Sequence, residues 1–222
     1  MKNLTYIVLW LLFQLIIEIN CQMTPFNPNG ILSHTATHID DKFYILGGLD
    51  VPKVNIFGKD FFYHDVSNKF NTKELQWKDL SNINIVPSHF SATSVKGGSD
   101  NDTLFLYLGF PKGSFVYIFS PKNNTWSIPT IDGNIDERKI DLTGVIDHNG
   151  KMYLWGGKDV INNIDVNDML TLDTINLIWG KGSSTSGQNS AGAPNPRSVY
   201  GAVLTPDNLI IYIGKQVDCC YD

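Results

Sequence analysis

The 222-residue chain carries a net charge of −5, with 42% apolar, 12% aromatic and 18% charged residues. That apolar share supplies a core and excludes a chain disordered throughout. The mild acidity, with no Lys/Arg cluster to track phosphates, argues against nucleic acid as the main partner.

Residues 1–21 read as a leader. Lys2 gives a positive start, and residues 6–13 and 15–17 form an apolar segment. This pattern predicts a secretory signal peptide cut between Cys21 and Gln22. A membrane anchor over residues 4–19 is the rival. A span needs about 20 apolar residues, and Gln14 and Glu18 interrupt this one. A membrane partner follows only if the signal is left uncleaved. Beyond the leader, which holds a sequon at Asn3 that is set aside, two Asn-X-Ser/Thr sequons, at Asn101 and Asn123, agree with a secreted, extracellular glycoprotein. With Cys21 removed, only the adjacent Cys219 and Cys220 remain, too few for a disulfide scaffold.

After a Pro/Asn-rich lead-in at 22–31, the chain repeats itself. The first unit, 32–80, is expected to hold strands at 33–39, 42–46, 61–66 and 75–80. The second, 88–130, has strands at 88–95, 104–108, 114–119 and 125–128. The third, 141–180, has them at 142–147, 151–155, 168–173 and 177–179. A Gly/Ser-rich linker occupies 181–196. The fourth unit, 197–214, holds strands at 197–204 and 209–213, and a short tail, 215–222, follows. No stretch sustains a helical period, so almost no helix is expected.

Each second strand is a short apolar run ended by glycine: Gly47-Gly48, Gly109, Gly156-Gly157 and Gly214. A continuous apolar run implies burial on both faces, and the glycines let the backbone leave sharply. Each of the first three units then carries one tryptophan in strand four. Trp77, Trp126 and Trp179 stand 49 and 53 residues apart. They are expected to wedge between neighbouring units, and full burial of Trp126 would make its truncation to Ala cost about 3–5 kcal/mol.

Units of roughly 50 residues with four short strands point to an all-β propeller, because one sheet cannot bury both its faces alone. The glycine pair followed by a tryptophan resembles the kelch repeat. The likeness is good in units one and three (Gly47-Gly48 with Trp77; Gly156-Gly157 with Trp179). In unit two Leu108-Gly109 replaces the pair, and in unit four Ile213-Gly214 does, with no tryptophan after it. The resemblance implies a kelch-type β-propeller, commonly of six or seven blades, acting as a protein-binding scaffold. About three and a half blades are legible here, whereas propellers close with four to eight. The chain is therefore expected either to be a fragment or to complete its ring with another chain, self-association included.

The resemblance reaches a secreted enzyme class, the copper radical oxidases similar to galactose oxidase, which is the alternative function. Their site implies paired His and Tyr ligands and a Cys joined to a Tyr, a set that does not map onto this sequence. No Gly-x-Ser-x-Gly, HExxH or phosphate-cradling loop is present, so no catalytic, cofactor-binding or metal-binding residue is assigned. His34 and His38 share a strand face, but four strand residues span about 13 Å, too far for one metal ion. His34 and His89 are expected to occupy equivalent places at the start of strand one, with Arg197 close to the same place in unit four. There they would bond backbone or line the channel mouth. His148 is expected to be a turn residue, and Asp40-Asp41, Asp136-Glu137 and Asp159 solvated loop residues. The contacts of a binding module would come from the loops at 49–59, 109–113 and 158–167.

Overall fold

The computed structural model describes residues 26–51, 58–111, 113–182 and 195–214, together with Tyr6 and Trp10. The leader, apart from those two residues, lies outside the described residues. So do 52–57 of the first loop, most of the linker, and the tail with Cys219 and Cys220. Among the described residues, no helix is long and apolar enough to cross a membrane.

The fold is all-β. β2 (Thr35–Ile39), β3 (Lys42–Leu46), β5 (Phe61–Asp65) and β6 (Trp77–Asp79) form the first four-stranded antiparallel blade. β7 (Thr93–Gly97), β8 (Thr103–Tyr107), β9 (Val116–Ser120) and β10 (Thr125–Ser127) form the second. The third is β12 (Val145–Ile146), β13 (Lys151–Trp155), β15 (Met169–Asp173) and β16 (Ile178–Lys181). β17 (Gly201–Leu204) and β18 (Ile210–Ile213) pair as a two-stranded fourth sheet. Two short ribbons join the chain before strand one to the chain after strand two. These are β1 (Ile31–Leu32) with β4 (Leu49–Asp50), and β11 (Lys139–Ile140) with β14 (Lys158–Asp159). The sequence signalled neither ribbon, because two-residue strands carry no period.

The inner strands begin later than their apolar patterns suggest, at Thr35, Thr93, Val145 and Gly201 rather than at 33, 88, 142 and 197. The cause is a left-handed residue ahead of each: Ser33, Ser91, Asp141 and Val199, with φ between 51° and 56°. A backbone in that region cannot lie in a strand.

The core lies between the blades. One cluster joins Tyr44, Leu46 and Phe61 of the first blade to Leu104, Leu106 and Phe119 of the second. Another joins Phe105 and Tyr107 of the second to Met152, Leu172 and Trp179 of the third, and reaches Tyr200. Hydroxyls stitch the inner strands. Ser94 Oγ bonds Thr35 Oγ1 at 2.7 Å and also Thr37 Oγ1, and Gly144 N–H donates to Thr93 Oγ1 at 2.8 Å.

Trp179 meets Tyr107 and Phe115 of the preceding blade at ring distances of 6.2 and 6.4 Å. Trp126 sits against Phe61 of the first blade at 5.2 Å. Trp77 packs on Phe62 and His64 of its own blade. Trp179 is buried, but Trp126 and Trp77 are only partly so. The full-burial cost expected at Trp126 therefore moves to Trp179. Trp179→Ala is expected to lower stability by about 3–5 kcal/mol, and Trp126→Ala by clearly less, in urea unfolding. Equal losses would show that the two rings are equally buried.

Candidate functional site

The four left-handed entry residues form a file around the inner end of the arc. Ser91 N–H donates to Ser33 C=O at 2.9 Å, Asp141 N–H to Ser91 C=O at 3.3 Å, and Val199 N–H to Asp141 C=O at 2.7 Å. Each inner strand is thus hung on the one before it. The file rims a cavity of about 330 Å³ that also touches His34, Thr143 and Tyr200. The rim offers two serine hydroxyls, the Asp141 carboxylate and the exposed His34 imidazole, a set suited to hydrogen-bonding a ligand at the channel mouth.

The file sets the register between units. His34 aligns with Ala92, Leu142 and Tyr200, each one residue after its file member. His89 aligns with Lys139 and Arg197, two residues ahead. The expected equivalence of His34 and His89 is therefore corrected, while that of His89 and Arg197 holds. His34 is exposed at the mouth, whereas His89 is buried and bonds backbone, its Nδ1–H donating to Pro87 C=O at 2.8 Å.

The glycine pairs explain themselves at this junction. Gly48 N–H donates to His89 C=O at 2.8 Å, and Gly157 N–H to Arg197 C=O at 2.9 Å, so the second glycine ties its blade to the next. A Cβ on Gly48 or Gly157 would lie 2.7 Å from Leu32 C=O or 2.8 Å from Ile140 C=O, the backbone of its own ribbon. The first glycine gives room: a Cβ at Gly47 would come within 2.4 Å of His89 Nε2. Leu108 fills the same place in the second blade, where its N–H donates to Phe115 C=O as Gly47 N–H does to Asp60 C=O. Gly109 then lies against the next unit, 1.9 Å from Lys139 C=O to a built Cβ.

The described parts of the three loops proposed from sequence (49–51 and 58–59, 109–111 and 113, and 158–167) lie between strand two and strand three, so antiparallel pairing delivers them to one end of the blades, beside the file. Arg138 ties two of them together. Its guanidinium donates to Gly113 C=O at 2.6 Å and to Pro111 C=O at 3.4 Å and lies 4.0 Å over the Phe115 ring. Its own carbonyl accepts from Val160 N–H at 2.9 Å. Asp159 holds the tip of the 158–167 loop, accepting from Ile161 N–H at 2.7 Å and Asn162 N–H at 3.1 Å. Asp159 is thus a turn-forming residue rather than a merely solvated one. The same turn leaves Ile161 78% exposed.

Beneath this surface Lys139 is fully buried. Its ammonium donates to Leu154 C=O at 3.1 Å and to Asp168 Oδ2 at 3.2 Å. Burial pulls its pKa down, and the Asp168 carboxylate opposes that fall. Nearby, a hydrogen bond from Lys181 holds Glu137 below the usual carboxylate range. Sequence reasoning missed Lys139, Arg138 and the file. Their spacing to the glycine pair varies with turn length, and the repeat place of Lys139 shows only once the strands are registered.

Among the described residues no group of three His, Cys, Asp or Glu could hold a metal ion. The two buried histidines each spend Nδ1 on a carbonyl, His64 on Gln76 and His89 on Pro87. His148 lies in the β12–β13 turn as expected. Asn101 and Asn123 are both exposed in turns, at the blade end opposite the loops.

His89 Nε2 is buried with no partner among the described residues, and burial lowers the pKa of the ring. The unfolded chain takes up the proton near pH 6.5. The fold resists it, so stability is present above that pH and falls as pH drops below it toward the lowered native value. Thermal melting between pH 7.5 and 5 is expected to show this loss. In His89→Gln the loss over that window should be smaller, and an unchanged slope would acquit His89.

Comparison with known proteins agrees with this geometry. A search of the curated proteins finds no match. Among solved structures, the one titled "Structure of YjhT" aligns with a TM-score of 0.51 at 13% identity. The alignment covers 70% of this chain and 46% of that one, so this chain spans less than half of that chain's length. At that identity the likeness shows the fold alone. The family model described as the KLHDC2/KLHL20/DRC7 Kelch-repeats domain matches residues 33–222. With the repeated glycine exits and the stacked four-stranded blades, this match places the chain in the kelch-repeat family of β-propellers.

Proposed function

We propose that the chain is an extracellular protein-binding module whose partner docks on the blade end bearing the 49–59, 109–113 and 158–167 loops. A kelch domain suggests a protein-protein interaction module in general terms. The observation that carries the surface is Arg138, which joins two of the loops into one body while Ile161 stands exposed on a tight turn. An apolar side chain already held in place loses little freedom on docking, as interface anchors require. The leader and the two sequons support the secretory route. Glycans on Asn101 and Asn123 would sit at the far end and leave the loop end clear.

The test is crosslinking on cells that secrete the chain, comparing wild type, Ile161→Asp and a far-end control, Asn149→Asp. A partner captured by wild type and control is expected to fall about 30-fold with Ile161→Asp, the effect of losing an interface anchor. Equal capture by all three variants removes the loop end as the docking surface. Secretion is tested separately with an N-glycosidase. The medium should hold a species whose mass drops on treatment, and Asn101→Gln with Asn123→Gln together should abolish the drop. A secreted species insensitive to the enzyme would refute the glycoprotein reading.

A further inference from the structure

The blade end opposite the loops carries a cavity of its own, of about 480 Å³. Ser99 and Asn101 line it from the second blade, and His148 and Asn149 from the third. Ile175 and Leu204 supply its apolar wall. The walls are held by hydrogen bonds within the chain. Thr174, only 3% exposed, joins two of the turns: its hydroxyl accepts from Gly98 N–H at 3.1 Å and donates to Gly150 C=O at 2.6 Å. Asp147 Oδ1 shapes the β12–β13 turn, accepting from Asn149 N–H and Lys151 N–H, each at 2.9 Å. Asp173 Oδ1 does the same for the β15–β16 turn, accepting from Ile175 N–H at 2.9 Å. Ile175 lies so close to Gly150 that a Cβ built there would come within 2.9 Å of its Cδ1, yet 48% of Ile175 stays exposed.

Asn101 is the acceptor of the sequon Asn101-Asp102-Thr103. It is exposed, with φ 50°, and its N–H is tied to Gly98 C=O at 3.1 Å. A sugar carried on its Nδ2 therefore starts beside the cavity, on a backbone that is already anchored. Asn123, the other sequon, stands on the turn between the outer strands β9 and β10 and is not among the residues that line this cavity. The first sugar of an N-linked glycan is N-acetylglucosamine, with hydroxyls, one amide, a methyl and a face of C–H groups. The Ser99 hydroxyl, the Asn149 amide and the His148 ring can pair with the polar groups. Ile175 and Leu204 can cover the C–H face. The Asp147 carboxylate is taken up by its own turn and by the Tyr153 hydroxyl at 3.0 Å, so the groups left over suit an uncharged sugar rather than an ion. The volume is that of a site for a small molecule.

We infer that this cavity is the seat of the chain's own Asn101 glycan and holds its first N-acetylglucosamine. The inference deepens the glycoprotein reading and rests on it. The bond is made by the secreting cell. Asn101 Nδ2 attacks C1 of a lipid-linked oligosaccharide, the C1–O bond breaks with its electrons going to the diphosphate, and Nδ2 gives up one proton. What this chain adds is the place where the sugar then lies. A seated sugar spans the second and third blades where Thr174 already joins them, and it covers Ile175. It stays away from the docking loops.

The test uses the full chain secreted by eukaryotic cells and a peptide N-glycosidase, with release at each site read by mass spectrometry as Asn converted to Asp. From denatured chain, both sites should release their glycans. On the folded chain Asn101 should release about tenfold more slowly than Asn123, as for a sugar seated roughly nine-tenths of the time. Ile175→Asp and, separately, His148→Ala should bring Asn101 close to the rate of Asn123 and leave Asn123 unchanged. Equal release at the two sites of folded wild type overturns the seat and leaves the glycoprotein reading intact. So does slow release at Asn101 that neither variant alters. No glycan at Asn101 in the denatured chain overturns the seat and the glycoprotein reading of that site together.

Discussion

Everything in this fold follows from the fact that a four-stranded blade has two apolar faces and can bury neither by itself. The continuous apolar runs of β3, β8 and β13 make sense only between neighbours. Tyr44 and Leu46 close against one blade, Met152 and Leu154 against another. The tryptophan of strand four leans back on the preceding blade, so Trp126 reaches Phe61 and Trp179 reaches Tyr107. Aromatic rings suit the outer part of the wedge, where the gap between radiating sheets is widest.

The inner edge faces the opposite problem, because there the blades crowd together. Backbone must approach backbone, and side chains shrink to hydroxyls and glycine. Ser33, Ser91, Asp141 and Val199 turn left-handed so that each amide can reach the carbonyl of the previous entry. Gly48 and Gly157 lack the Cβ that would strike their own ribbon. Tyr200 uses its hydroxyl to bond Trp155 C=O across a junction, and burial drives its pKa up. The crowding also orders the loops, since strand two can exit only toward the mouth. That exit brings Arg138 within reach of Gly113 C=O and makes a surface out of separate turns.

Much of this was legible in the sequence. Gly47-Gly48, Gly109, Gly156-Gly157 and Gly214 stand at strand-two exits, and Trp77, Trp126 and Trp179 in or beside strand four, as their repetition implied. That the described parts of the loops named from sequence share one end was not legible there and follows from the strand pairing. The equivalence of His34 with His89 failed, because both precede an inner strand and nothing local tells which of two histidines begins the unit. The file resolved it, since a hydrogen bond between Ser91 and Ser33 counts register where a pattern of polar residues does not. Lys139 stayed hidden because a lone lysine in a polar stretch looks solvated, and only the packing of blade two on blade three buries it.

The sequence by itself determined the class of fold and the strand that ends in glycine. These are written in local chemistry: a period of two, an apolar run, and residues that tolerate a sharp exit. Only the tertiary structure decided the register between units, the burial of each tryptophan and the faces left open at Phe43 and Ile211. Those depend on which neighbour stands across the gap. The same apolar position is core at Trp155, packed against the fourth sheet, and exposed at Ile213 among the described residues, and no residue type records that difference.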